Sequence, residues 1–136
     1  MENDWIETNN QVIEEFRANG GKVQGRGDLI LLTIRGAKSG VPRVYPLMSV
    51  PYRDGYLAVG SKGAAPEHPL WYYNLLAHPQ ITVEVGTETF AASAQLLTGE
   101  ERARAFATAV KVFPRYGEYE KQTTREIPVF FLERVV

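Results

Sequence analysis

Between Leu29 and Leu97 the apolar residues arrive in strand-length runs, most of them bounded within a few residues by glycine or proline. That punctuation constrains the fold more than any other feature. Leu29 to Ile34 is an unbroken apolar, β-branched run that stops at the turn-forming loop Arg35-Gly36-Ala37-Lys38-Ser39-Gly40. Pro42 to Val50 resumes an extended pattern, Pro51-Tyr52-Arg53-Asp54-Gly55 supplies a turn, and Tyr56 to Gly60 reads as a third strand. Ser61 to Pro69 reads as a loop. Ile81 to Val85 and Glu88 to Leu97 alternate as a hairpin around Gly86-Thr87, and Ile127 to Val135 closes the set, with Pro128 at a strand start or edge. Short strands in meandering order predict a small antiparallel barrel of about six strands, mainly β within the α+β class.

The helices that remain are few and short. Asp4 and Glu7 form a capping box, and Trp5, Ile6, Val12, Ile13 and Phe16 recur at helical spacing until Gly20-Gly21. An amphipathic N-terminal helix and linker therefore occupy residues 1–25, and the barrel occupies 26–136. At 136 residues the chain has room for one hydrophobic core, so the two parts form a single domain. Leu70 to Ala77 makes a covering helix ended by His78-Pro79. Thr98-Gly99-Glu100-Glu101 is a second capping box, opening an alanine-rich helix with Phe106, Val110 and Phe113 along one side. Tyr116 and Tyr119 follow Pro114 in a short helical turn.

Charge narrows the ligand. Residues 20–65 hold seven basic side chains (Lys22, Arg26, Arg35, Lys38, Arg43, Arg53, Lys62) against two acids, Asp28 and Asp54, in a chain whose net charge is −1. Such a segment favours an anionic ligand, with a solvated β-hairpin surface as the alternative. The excess is too modest, and the rest of the chain too acidic, for nucleic acid. The acidic start Met1-Glu2-Asn3-Asp4 is unlike a secretory signal, and no apolar run approaches the ~20 residues of a membrane span. The expected location is cytoplasmic, with a peripheral membrane role for the N-terminal helix opposed by its acidic polar face.

The absence of cysteine excludes thiolate metal sites and thiol nucleophiles. His68 and His78 are the only histidines, and neither has a partner at metal or triad spacing, so no metal is expected. The loop Gly36 to Gly40 with Pro42-Arg43 offers Lys38, Ser39 and Arg43 as donors to a phosphate-type anion. It lacks the spacing of a Walker A loop. Gly60-Ser61-Lys62-Gly63 repeats the combination of small residues with one hydroxyl and one ammonium, and adjacent hairpins would bring the two loops onto one extended anion. Leu70-Trp71-Tyr72-Tyr73-Asn74 suits either a core cluster or the wall of a flat-ring pocket. Tyr116 and Tyr119, three apart, share a helical face and present either two cavity phenols or two half-buried tyrosines.

Taken in order, Leu31-Leu32-Thr33, Gly36 to Gly40, Pro42-Arg43, Pro46-Leu47, Ser61-Lys62-Gly63, Pro69 to Tyr72, Asn74-Leu75, His78-Pro79, the helix start at Thr98 to Arg102, Phe113 to Tyr116 and Ile127 to Val129 resemble the deazaflavin-dependent nitroreductase family. The resemblance spans roughly residues 26–133 and implies a split β-barrel related to the FMN reductases. It implies hydride transfer from reduced coenzyme F420, whose phosphate and polyglutamate tail are anionic, to a quinone, nitroaromatic or conjugated enone. By position, Lys38, Ser39, Arg43 and Lys62 would hold phosphate and tail. Ser61 and Gly63 would lie along the ring, and Gly40, Pro46, Met48, Trp71 and Asn74 would complete the coenzyme site. Ser61, Tyr116 and Tyr119 would act on the acceptor. The chain departs from the family at Ala37, commonly basic, and at Phe113, often tyrosine. An FMN-dependent barrel and a non-catalytic F420 carrier are the alternatives, with a monomer favoured over a homodimer.

Overall fold

The computed structural model describes the backbone of residues 4–135 and the side-chain surroundings of residues 7–135. Four helices, α1 (Asp4–Ala18), α2 (Leu70–Ala77), α3 (Gly99–Val112) and α4 (Arg115–Gln122), accompany seven strands. The strands are β1 (Leu29–Arg35), β2 (Pro42–Met48), β3 (Pro51–Tyr52), β4 (Gly55–Val59), β5 (Gln80–Val85), β6 (Glu88–Leu96) and β7 (Val129–Arg134). All are antiparallel, in the order β2-β1-β5-β6-β7-β4-β3.

The two edge strands of that order are consecutive in the chain. β2 pairs with β1, the backbone bends at Ser49-Val50, and β3 then pairs with β4 at the far edge. Hydrogen bonds from Ser49 N to Asp28 O and from Leu57 N to Val50 O, both 2.9 Å, fix the bend, and Val50 is fully buried. One bent strand thus closes the sheet at one end and leaves it open at the other, where β2 and β4 diverge: a split barrel.

Burial follows the sequence pattern. Ile30, Leu32 and Ile34 of β1 point into the barrel with Ile81, Val83, Phe130 and Leu132, while Leu29 and Leu31 face Val12 and Phe16 of α1. β1 is therefore covered on both faces, which is why its apolar run is unbroken. β7 repeats this, with Phe130 and Leu132 inside and Val129 and Phe131 under α3 and α4. β5, covered on one face, alternates instead.

Three expectations change. The anticipated turn at 51–55 contains β3, giving seven strands, because the residues after the bend find a free edge on β4. Thr98 makes no side-chain cap, since Gly99 takes a positive φ of 61° and α3 starts instead with the backbone bond Arg102 N to Thr98 O. The loop after β4 includes a single 3-10 turn, Lys62–Ala64. Asp4 of the expected capping box, Trp5 and Ile6 lie outside the described side chains. Where α1 is described, its buried residues Val12 and Phe16 face the barrel, and no large exposed hydrophobic lies on it. No helix among the described residues is long and apolar enough to cross a membrane.

A Cβ at Gly55 would collide with the carbonyl oxygen of Leu132 in the β4–β7 ladder, and backbone cannot yield as a side chain can. Gly55→Ala should lower stability by about 1–3 kcal/mol, read as a shifted urea midpoint with unchanged slope.

Candidate active site

The open end of the barrel forms a cleft of about 470 Å³. One wall is β2 (Pro46, Leu47, Met48) and the other is Val59 with Ser61, Lys62 and Gly63; Tyr116 and Tyr119 of α4, Phe113 and Trp71 complete it. A second lobe of about 390 Å³ shares Pro46, Leu47, Lys62, Pro69 and Trp71 and extends along Tyr45 and Leu70. Each lobe lies within the range of small-molecule and cofactor sites.

Tertiary contacts prepare the polar groups. Ser61 is 8% exposed and its hydroxyl makes no hydrogen bond to a described residue, yet no buried side-chain polar atom there lacks a partner. Its oxygen therefore opens onto the cleft. The same reasoning applies to Tyr116, 6% exposed, whose ring packs edge-on against Phe113 at 4.9 Å. Burial first, and the neighbouring Tyr119 second, push its pKa up to about 12. It is a neutral phenol at physiological pH, able to donate a hydrogen bond and reluctant to lose its proton. Trp71 packs against Phe130 and presents an apolar wall to both lobes.

The loop carrying Ser61 is braced from behind. Arg125, in the segment between α4 and β7, donates Nε to Ala65 O (2.9 Å), Nη1 to Gly60 O (3.0 Å) and Nη2 to Ser61 O (2.7 Å). Its Nη1 also lies 3.0 Å from His68 Nδ1. A guanidinium only donates, so Nδ1 is the unprotonated nitrogen of that ring. The His68 ring lies 4.2 Å from that of Tyr72.

Eight of the residues singled out in the sequence come together at the cleft: Pro46, Met48, Ser61, Lys62, Gly63, Trp71, Tyr116 and Tyr119. Lys38, Ser39, Gly40, Arg43 and Asn74 are not on its walls. β2 and the loop after β4 do face one another, but through Pro46 to Met48 beside the bend; the register Arg35–Pro42 to Leu29–Met48 puts the turn that carries Lys38 and Ser39 at the far end of the β1–β2 hairpin. Ser39 Oγ accepts from Val41 N at 3.1 Å and shapes the β1–β2 turn. Asn74 Oδ1 accepts from Ala37 N at 2.9 Å and its Nδ2 donates to Tyr45 OH at 3.3 Å, tying that turn to α2. Lys38 is exposed, and Arg43 lines a separate groove between β2 and α1. Asn9 and Val12 of α1 and Arg26 stand on the cleft wall without having been singled out as site residues. Only the local basic excess pointed to Arg26, and nothing in the sequence places α1 there.

Comparison with known proteins shows what the chain as a whole is similar to. The model of a family described as F420H(2)-dependent quinone reductase matches residues 5–134. An F420H(2)-dependent quinone reductase of Mycobacterium tuberculosis is 34% identical over 118 residues, covering 85% of this chain and 79% of the relative. A solved F420-H2 dependent reductase (FDR-A) is 43% identical with a TM-score of 0.73, covering 77% of this chain and 93% of its own. A structure described as a domain-swapped dimer is 39% identical with a TM-score of 0.76, covering 98% of this chain and all (100%) of its own.

Burial first, and the charge of Arg125 second, hold the His68 pKa below its ordinary 6.5. In the unfolded chain His68 takes up its proton first as pH falls. Its contribution to stability is thus fully present above about pH 6.5 and is lost below it. The urea midpoint should fall more steeply between pH 7 and about 5 in the wild type than in His68→Gln. Parallel profiles would remove His68 from the acid response.

Proposed function

The chain belongs to the F420H(2)-dependent quinone reductase family, and we propose on that basis that it reduces a quinone at the open end of the split barrel, drawing on coenzyme F420. The observation that carries the reading is the cleft itself, in which the hydroxyls of two otherwise buried residues, Ser61 and Tyr116, open onto a space faced by Trp71. The residues present suit a flat, anionic coenzyme: Trp71, Pro46 and Met48 offer an apolar surface, and Lys62 and Arg26 offer positive charge beside it. Lys62 is paired at 2.8 Å with the exposed Glu67, a weak surface contact that an anion can replace.

When bound and reduced, the coenzyme supplies a hydride. The protein's own share is to position and polarise. Ser61 would hydrogen-bond the ring or the acceptor's oxygen, and Tyr116, kept neutral, would donate to the oxygen on which charge develops. Tyr119 would orient the acceptor. Lys62, with Lys38, Ser39, Gly40 and Arg43 further along the β1–β2 hairpin, would take phosphate and tail. Arg43 stands three residues from Pro46 on β2, roughly 10 Å along the strand. Among the described residues Arg26, Lys38 and Arg43 have no ion-pair partner. Asn74 would act at one remove, through the turn it braces. A family named for F420H(2)-dependent quinone reduction favours this reading over an FMN barrel or a carrier.

The relative described as a domain-swapped dimer gives no support to a monomer. In this chain α1 is the segment suited to exchange: a glycine-rich stretch over residues 19–28 joins it to β1, and it brings Asn9 and Val12 to the cleft. A swapped dimer would complete each cleft with the partner copy's α1. Light scattering should give twice the chain mass, and deleting residues 1–18 should return it to one; a wild-type monomer would overturn the assignment.

Titrating the protein with oxidised F420 and with FMN, then supplying reduced F420 with a quinone, should show selective F420 binding and quinone-dependent oxidation. Absence of both would overturn the reading. Tyr116→Phe should lower kcat about ten- to a hundredfold with coenzyme affinity held within about twofold. Lys38→Ala and Arg43→Ala should weaken coenzyme binding about tenfold at low salt and less at high salt, and unchanged affinity would remove them from the site.

A further inference from the structure

Ser61 has no side-chain bond to a described residue that would hold it, so its direction into the cleft depends on its backbone. Two peptide groups flank it, and Arg125 grips both: Nη1 on the carbonyl of Gly60 and Nη2 on the carbonyl of Ser61. A third donor, Nε, holds Ala65 at the far end of the same loop. The loop needs such a hold. Lys62, Gly63 and Ala64 all have positive φ (46°, 59° and 67°), two of them with a Cβ, a conformation that costs energy and persists only where the surroundings enforce it. Arg125 is not on the cleft wall, and at 2.7–3.0 Å its three contacts are short, charge-assisted hydrogen bonds. His68 adds a fourth contact, Nδ1 to Nη1 at 3.0 Å, and its ring packs against Tyr72.

We propose that Arg125 is a positioning residue for the reductase reaction, acting through the two peptide groups of Ser61 to aim its hydroxyl into the cleft. A lysine cannot replace it, because one ammonium cannot span three carbonyls in the fixed geometry of a guanidinium fork. The proposal rests on the cleft being the quinone-reductase site, but the orientation of the loop exists without any ligand and is tested without one.

The test is a cycle of Arg125→Lys, Ser61→Ala and the double variant, with Arg125→Gln as a second probe of the first position. In the ligand-free proteins, the Ser61 and Lys62 amide resonances should shift, and hydrogen exchange should accelerate at Ala64 and Ala65, whose amides bond to Ser61 O and Lys62 O, in both Arg125 variants, while amides of β1 and β5 stay as in wild type. With reduced F420 and a naphthoquinone, Arg125→Lys should lower kcat about tenfold or more, with the quinone KM little changed. The double variant should be no slower than Ser61→Ala alone, since an arginine that acts through Ser61 has nothing left to position. Unchanged amides, wild-type kcat in Arg125→Lys, or losses that multiply in the double variant would each overturn the proposal. No turnover in the wild type would instead count against the reductase reading, leaving the amide measurements to decide whether Arg125 orients Ser61.

Discussion

The structure depends on one bent strand. β2 and β3 are a single run of chain whose first part pairs with β1 and whose last two residues pair with β4, at opposite edges of the sheet. The bend at Ser49-Val50 converts an open antiparallel sheet into a half-closed barrel without a continuous hydrogen-bonded ladder across the gap. Beyond the bend the two edges separate, and the space between them is the cleft. The closed end, packed around Val50 and Leu57, and the open end that forms the cleft are thus consequences of the same covalent connection.

That arrangement explains why the cleft draws on segments remote in sequence. β2 supplies an apolar wall, the residues after β4 supply hydroxyl and ammonium groups, and α4 supplies phenols. α3 and α4 pack against the outer faces of β4 and β7, so the phenols are carried by the same core that fixes Ser61's strand. Surface ion pairs such as Arg17–Glu84 and Arg134–Glu88 fasten α1 to β5 and β6 to β7 at the periphery. Among the described residues Arg26, Lys38 and Arg43 lie outside those pairs, and they put positive charge along the hairpin and cleft, where an anionic coenzyme would lie on the proposed reading.

The division of labour in the cleft is one of support. Ser61 and Tyr116 face the cavity, whereas Arg125, His68 and Asn74 spend their polar atoms on neighbouring backbone and side chains. On the proposed reading, preorganisation of this kind would let weakly acidic hydroxyls stabilise charge on an acceptor, because their orientation would be set before it arrived.

The sequence alone determined the elements and the family. Period-two alternation, unbroken apolar runs and glycine turns report local backbone preference and the number of covered faces, so β1, β5, β6, β7 and α2 were legible almost to the residue. The ordered motifs from Leu31 to Val129 carried the family resemblance, and with it most of the cleft wall from Pro46 to Tyr119. Tertiary structure alone decided which donors meet. Lys38 and Lys62 belong to similar loops, but the bend that folds β2 toward the loop after β4 brings Pro46 to Met48 beside Lys62 and leaves the Lys38 turn at the other end of the β1–β2 hairpin, so only Lys62 is on the cleft wall. Asn74 became a brace because α2 docks beside the β1–β2 turn, and Thr98 lost its capping role to the backbone angle of Gly99. Asn9 and Arg125 left no signal and Val12 only its place in a helical pattern, since each matters here through contacts distant in sequence, up to 65 residues away for Arg125, and local patterns carry no information about which distant carbonyl or wall a side chain will meet.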